Sequence, residues 1–219
     1  MNIVVTGASG ALGAAVVEGL QRRRHSLVLI DRVRSGTIES EREVVADLSD
    51  PESARRALVE ARKALPQVDA LVHLIGAFRW IPFAETTSRD WRELFAANVE
   101  TAVNTVQAAL PGLSDCGAIV CIGAASAQPA KAGLAAYAAA KSGLARVVEA
   151  LADELKPRRI RVNAVAPAII DTPRNRADMP EADPELWTSP QAIADVVCFL
   201  LSTEARAING ITLAATNNE

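Results

Sequence analysis

The single tyrosine of this chain, Tyr137, is followed four residues later by Lys141, in the run Tyr137-Ala138-Ala139-Ala140-Lys141. Residues at that spacing share one face of a helix and point the same way. A phenol alone is a poor acid near neutral pH, with a pKa of about 10. An ammonium a few ångströms away favours the phenolate, lowers that pKa and makes the phenol a usable proton donor. Any helix surface can carry such a pair, but only four lysines occur among the 219 residues. Its neighbours decide what the pair means.

Near the N-terminus the apolar run Ile3-Val4-Val5 leads into Thr6-Gly7-Ala8-Ser9-Gly10-Ala11-Leu12-Gly13, and a helical pattern follows. Glycines at 7, 10 and 13 allow a tight turn and close approach of backbone to a ligand. The free N–H groups at the helix start suit a pyrophosphate. Gly7, Ser9, Gly10, Ala11, Leu12 and Gly13 are therefore candidate cofactor contacts. A second strand ends at Asp31, where a carboxylate can accept hydrogen bonds from an adenosine ribose diol and repel a 2′-phosphate. This favours NAD(H) over NADP(H). Arg32 and Arg34 follow at once and could reach a 2′-phosphate, which keeps NADP(H) open. Further on, Asp47 and Leu48 end the short segment Val44-Val45-Ala46. Asp47 either meets the adenine amino group or signals the helix that begins near Pro51.

The elements that must hold these residues alternate. Strand candidates are 2–6, 26–31, 69–75, 117–122, 160–165 and 211–214, and helical stretches are 11–24, 51–64, 88–110, 134–156 and 190–202. Strands such as Ala70-Leu71-Val72-His73-Leu74-Ile75 are almost wholly apolar, as expected when helices cover both faces of a parallel sheet. The pattern predicts one α/β domain over 1–219, a Rossmann-type doubly wound parallel sheet with helices on both faces. The one irregular region, 171–190, is rich in Pro, Asp, Glu and Asn, and a loop that long reads as a lid or substrate loop.

Composition removes other classes. Half the residues are hydrophobic, mean hydropathy is +0.15, and the formal charge of −3 with a pI near 5.6 argues against a nucleic-acid footprint. The basic runs Arg22-Arg23-Arg24 and Arg158-Arg159-Ile160-Arg161 stand where helices should end and complement their dipoles. Cys116, Cys121 and Cys198 lack metal-ligand spacing and read as reduced thiols. His25 and His73 are too few and too scattered for a metal site, so none is expected. Met1 leads directly into a strand, and nothing approaches the length of a membrane span. A soluble, cytoplasmic protein without membrane or nucleic-acid partners is expected.

With the glycine loop, Asp31, Asp47, Asn98, Tyr137 and Lys141 in this order, the chain resembles the short-chain dehydrogenase/reductase family over essentially its full length. Thr6 through Gly13 resembles that family's TGxxxGxG loop, and Tyr137 with Lys141 its YxxxK pair. Asn98, in Phe95-Ala96-Ala97-Asn98-Val99, resembles the asparagine of its fourth helix. The resemblance implies that Asn98 bends its helix and holds a water linking Lys141 to solvent, while Lys141 holds the nicotinamide ribose. Pro167 to Thr172 is similar to the segment that holds the nicotinamide carboxamide, which adds Pro167, Ile170 and Thr172 to the expected cofactor contacts. Ala168 stands where a glycine is usual.

Two departures stand out. The family's Asn-Asn-Ala-Gly after strand four reads His73-Leu74-Ile75-Gly76 here, keeping only Gly76 as a cofactor contact. The active-site serine, thirteen residues before the tyrosine, is replaced by Ala124; Ser126, two residues late, is the candidate substitute. Dihydropteridine reductases tolerate that loss, and the tail from Asp171-Thr172-Pro173-Arg174-Asn175-Arg176 through Trp187-Thr188 resembles theirs. Trp80 sits where that subgroup carries aromatic residues, although Trp80, Trp91 and Trp187 also read as packing.

These features together predict hydride transfer between NAD(H) and a small C=O or C=N substrate, a quinonoid dihydropterin among the candidates. An ordinary carbonyl or ketoacyl reductase, and a nicotinamide-binding sensor or scaffold with little catalysis, are the alternatives. The long Ala-, Leu- and Val-rich helices near 88–110 and 134–156 carry more apolar surface than one sheet can bury. In relatives they build a four-helix interface, so a homodimer or homotetramer is expected; close packing of alanines on the sheet is the other reading.

Overall fold

The computed structural model describes residues 1–36 and 42–217. Seven parallel strands form one sheet in the order β3-β2-β1-β4-β5-β6-β7. They are β1 (Asn2–Thr6), β2 (Ser26–Asp31), β3 (Glu43–Val45), β4 (Val68–His73), β5 (Leu113–Ile122), β6 (Arg161–Pro167) and β7 (Thr212–Ala215). The chain runs outward from β1 to β3 and returns beside β1 as β4, so the strand order reverses between β1 and β4. Such a reversal opens a crevice at the carboxyl ends of the strands. Its walls are in register, with Thr6 beside both Ile30 and His73.

Alternate residues of each strand feed opposite cores. Val4, Leu71 and Ile119 pack under α2 (Pro51–Ala64), α4 (Thr101–Ala109) and α5 (Ala135–Glu154). Ile3, Val5, Val72 and Val120 pack under α1 (Ala11–Arg22) and α7 (Pro190–Leu201). Both faces being covered explains why the strands read as unbroken apolar runs.

The expected helix 88–110 is three pieces: α3 (Ser88–Phe95), a π-helical turn (Ala96–Glu100) and α4. Composition does not separate the pieces, because a π turn is a change of hydrogen-bond register rather than of residue type. The segment expected at 44–46 is a short edge strand, β3, paired with β2. The 171–190 region holds a helix, α6 (Pro173–Asp178), whose N-cap Thr172 accepts from Asn175 N. It is tied down at its far end: Thr188 N donates to Ile169 O at 2.8 Å and Asp171 N to Thr188 O at 2.9 Å. Trp187, 5% exposed, is packing, whereas Trp80 is 60% exposed.

The basic runs do cap helix ends, but chiefly those of distant elements. Arg158 donates to Leu110 O at 3.0 Å, beyond α4, and to Asp115 at 2.9 Å. Arg161 donates to Leu200 O, Leu201 O, Ser202 O and Ala205 O at the end of α7. Arg161→Met takes the donor from Leu200 O and Leu201 O, while Ser202 O and Ala205 O keep Ala205 N and Ile208 N, and should lower unfolding stability by about 2–4 kcal/mol, read as a shift in urea midpoint at constant slope. An unchanged midpoint would show that water satisfies those carbonyls equally well.

Candidate active site

The turn after β1 depends on glycine at two points. Gly7 has φ +77°, and a Cβ on Gly13 would lie 2.5 Å from the carbonyl oxygens of Gly7 and Ala8. Gly10, the N-cap of α1, differs: a Cβ there would meet nothing nearer than Gly7 O at 3.9 Å. Its small size leaves the space over the helix start clear. The resemblance to TGxxxGxG is corrected in one respect, since the pattern's middle glycine falls on Ala11, the exposed first residue of α1. Gly10 stands one residue earlier, with Ser9 and Leu12 on either side of the pair.

Asp31, at the tip of β2, is pinned over this turn. Its Oδ2 accepts from Ser9 N at 3.0 Å and Ser9 Oγ at 2.6 Å, and its Oδ1 from Arg32 N at 2.7 Å. The Arg32 side chain is exposed, while Arg34 donates to Glu43 O on the edge strand at 3.1 Å. Asp47 is not the cap of α2: that role belongs to Asp50, which accepts from Ser53 N at 2.9 Å. Asp47 instead accepts from Ser49 N and Ser49 Oγ, bonds that hold its carboxyl below the usual range. Leu48 is 2% exposed and sits in the core, so it can serve a ligand only through its backbone.

Lys141, Asn98 and Gly76 meet at one point beyond β4. A Cβ on Gly76 would lie 2.7 Å from Asn98 Oδ1 and 3.0 Å from Lys141 Nζ, so only glycine lets these groups converge. Asn98, fully buried on the π turn, donates through Nδ2 to Ala77 O at 2.8 Å and Leu94 O at 2.9 Å. Its Oδ1 accepts from Ala77 N at 3.2 Å. Lys141 donates to Ile122 O at 2.8 Å. Burial brings its ammonium down to about 8, slightly offset by Cys121.

Tyr137 stands one turn earlier on α5. The expectation that Lys141 pulls its pKa down does not hold here: burial pushes the phenol up to about 12. Desolvation of the phenolate dominates, and the ammonium is engaged with the Ile122 carbonyl. The phenol is therefore fully protonated at neutral pH. Its ring meets Phe78 edge-on, with centroids 5.0 Å apart. Trp80 lies across Gly133, where a Cβ would come within 2.3 Å of the indole, and its Nε1 donates to Ala132 O at 3.1 Å. Sequence reasoning did not single out Phe78 or Gly133; the positive φ of +75° at Gly133 has no composition signal.

Ala124 and Ser126 lie half-buried on the turn that follows β5. That turn rests on the end of β6, where Ala125 N donates to Pro167 O at 2.9 Å. Ile170 bridges to Thr188, and Thr172 caps α6. Pro167 ends β6, and Ile170 and Thr172 lie on the segment that leads from it into α6.

His73 is the departure with the largest structural consequence. Fully buried, it lies with Nδ1 2.9 Å from Thr6 Oγ1 and Nε2 3.3 Å from Thr101 Oγ1. Burial, helped by Lys141, holds it down to about 3, so the folded ring is neutral. An unfolded histidine titrates near 6.5, so below that pH the unfolded chain binds the extra proton and stability falls toward pH 3. His73→Gln should flatten this acid limb relative to the parent in urea titrations at stepped pH; parallel limbs would refute the burial argument. Among the described residues no group of three or more His, Cys, Asp or Glu could hold a metal, and no helix is long and apolar enough to cross a membrane.

A doubly wound parallel sheet with a crevice at its strand-order reversal is an architecture shared by dinucleotide-binding proteins. Known proteins narrow that class. The family model described as enoyl-(acyl carrier protein) reductase matches residues 7–216. The chain is 30% identical over 234 residues to the 3-oxoacyl-(acyl-carrier-protein) reductase FabG of Salmonella typhimurium, covering 96% of this chain and 93% of that one. It is 30% identical over 213 residues to an acetoacetyl-CoA reductase of Synechocystis, covering 93% and 89%. A solved blue fluorescent protein from a metagenomic library, in complex with NADPH, has 30% identity and a TM-score of 0.87, covering 98% and 96%. The chain belongs to the short-chain dehydrogenase/reductase family and is an oxidoreductase of it.

Proposed function

We propose that the chain reduces a small C=O or C=N substrate at the expense of NAD(P)H, with Tyr137 as the proton donor. The carrying observation is the convergence of Lys141 and Asn98 on Gly76, one helical turn from Tyr137. The residues fit a dinucleotide: the open position at Gly10 and the pinned Asp31 carboxylate make a cradle at the helix start. Gly7, Ser9, Gly10, Ala11, Leu12 and Gly13 would hold the pyrophosphate, Asp31 the adenosine ribose, and Asp47 with the Leu48 backbone the adenine. Gly76, Tyr137 and Lys141 would line the nicotinamide ribose, with Pro167, Ile170 and Thr172 at the carboxamide. When bound, the nicotinamide supplies the hydride.

Tyr137 gives its proton to the substrate heteroatom as charge develops there. Lys141 would hold the nicotinamide ribose, and Asn98 keeps the site behind Lys141 polar. With alanine at 124, orientation of the substrate falls to Tyr137, to Ser126, and to the aromatic wall of Phe78 and Trp80. The segment 171–190 would close over the substrate.

Asp31 favours NADH, and Arg32 leaves NADPH as the lesser partner. Asp31→Ala should raise the KM for NADH about tenfold and spare that for NADPH. A parent enzyme that prefers NADPH would refute this assignment.

The names of the relatives support a 3-ketoacyl thioester as substrate. The missing hydroxyl at 124 favours instead a quinonoid dihydropterin, which carries no simple ketone needing a second donor. Following NADH and NADPH absorbance with acetoacetyl thioesters, simple ketones, quinones and dihydropterin decides between them. Tight NADH binding with no turnover across that panel would point to a sensor or scaffold instead. Trp91, 36% exposed, and Phe95, 46% exposed, line a groove of about 480 Å³ with Arg92, Ala96 and Glu100. That surface supports a homodimer or homotetramer, checked by light scattering. Three free thiols, two of them buried, fit a reducing cytoplasm.

A further inference from the structure

We infer that His73 is a positioning residue that couples the glycine turn to the Asn98-bearing π turn through a directed hydrogen-bond chain. The direction follows from proton counting. Thr101 Oγ1 lies 2.9 Å from Ala97 O and 3.3 Å from His73 Nε2. A hydroxyl has one proton, and a carbonyl can only accept. Thr101 therefore donates to Ala97 O and accepts from His73, which places the ring proton on Nε2. Nδ1 is left as the acceptor, and Thr6 Oγ1 donates to it at 2.9 Å.

Both ends of this chain reach functional backbone. Thr6 is the last residue of β1 and is followed by Gly7 of the glycine turn. At the other end, Thr101 N reaches back to Ala96 O in the π register, and the Thr101 hydroxyl takes the neighbouring Ala97 carbonyl. Asn98 is the next residue, fixed against Ala77 and beside Lys141. A neutral imidazole with one donor and one acceptor, fully buried between the two, sets the spacing of cofactor turn and proton relay. Strand pairing alone would not do this, because it fixes backbone register and leaves the hydroxyls free to rotate.

The inference rests on the reductase reading for its kinetic test and is independent of it for its spectroscopic one. The chain has two histidines, so nitrogen-15 NMR of a His25→Gln variant reads His73 alone. The expected result is the Nε2–H tautomer with no titration between about pH 5 and 8. An Nδ1–H tautomer, or a ring that titrates there, overturns the coupling whether or not the protein is active. In kinetics, His73→Leu should lower kcat about tenfold and raise the NADH dissociation constant severalfold, and His73→Gln, which keeps one acceptor and one donor, should restore both. If the leucine variant melts like the parent and keeps both constants, or if glutamine fails to restore them in a folded protein, the inference falls. Should His73→Leu not fold, Thr101→Val cuts only the far link. It should lower kcat while leaving NADH affinity unchanged, and an unaltered kcat in that variant also refutes the coupling.

Discussion

Tyr137→Phe should lower kcat for carbonyl reduction by about 10²–10⁴-fold, the range supplied by a positioned general acid. NADH affinity should stay close to that of the parent, because the substitution removes one hydroxyl and keeps the ring. That ring is held by its edge-on contact with Phe78 at 5.0 Å between centroids, an arrangement phenylalanine preserves. Burial pushes the phenol up to about 12, so Tyr137 is protonated at neutral pH. Stopped-flow reduction at saturating cofactor separates the loss in chemistry from any loss in binding. A variant that turns over at the parent rate would mean that another group delivers the proton.

Lys141→Met should produce a comparable loss in kcat and a change in pH dependence that the tyrosine variant lacks. Burial lowers the lysine from its ordinary 10.5 to about 8. If the ammonium is the working form, kcat/KM of the parent falls as pH rises through about 8. Stability should move the opposite way. Between about 8 and 10.5 the unfolded chain keeps a lysine proton that the folded chain has released, so stability rises with pH. The rise is cleanest from about 8 to 9, because Cys121 and Tyr137, both pushed up to about 12, oppose it above their ordinary values of 9.0 and 10.0. Below 8 the lysine contributes no slope. Lys141→Met should abolish the rise, and a parent whose stability falls between about pH 8 and 9 would exclude a buried ammonium.

Much of the arrangement was legible in local patterns. The glycine turn, Asp31 and the Tyr137–Lys141 offset are short-range signals, readable because each needs only neighbouring residues and a helix or strand period. What escaped is long-range or lies in hydrogen-bond register. The π turn at 96–100 has ordinary helical composition, so only the structure reveals that Asn98 sits on it. Asp47 and Asp50 both precede Pro51, and choosing the cap requires knowing which carboxylate reaches the N–H groups of the first turn. Arg161 stands at a helix end in sequence but serves α7, thirty-nine or more positions away. The sign of the shift at Tyr137 is not legible in the sequence, because spacing shows that an ammonium is near, not how much water burial removes.

That one phenol serves the whole chain has an optical consequence. Phenolate absorbs in the near ultraviolet where phenol does not, and here no second tyrosine contributes a background. An alkaline absorbance titration of the folded protein is therefore a single-site recording of Tyr137, and any ligand seated against it would announce itself as a displacement of that curve.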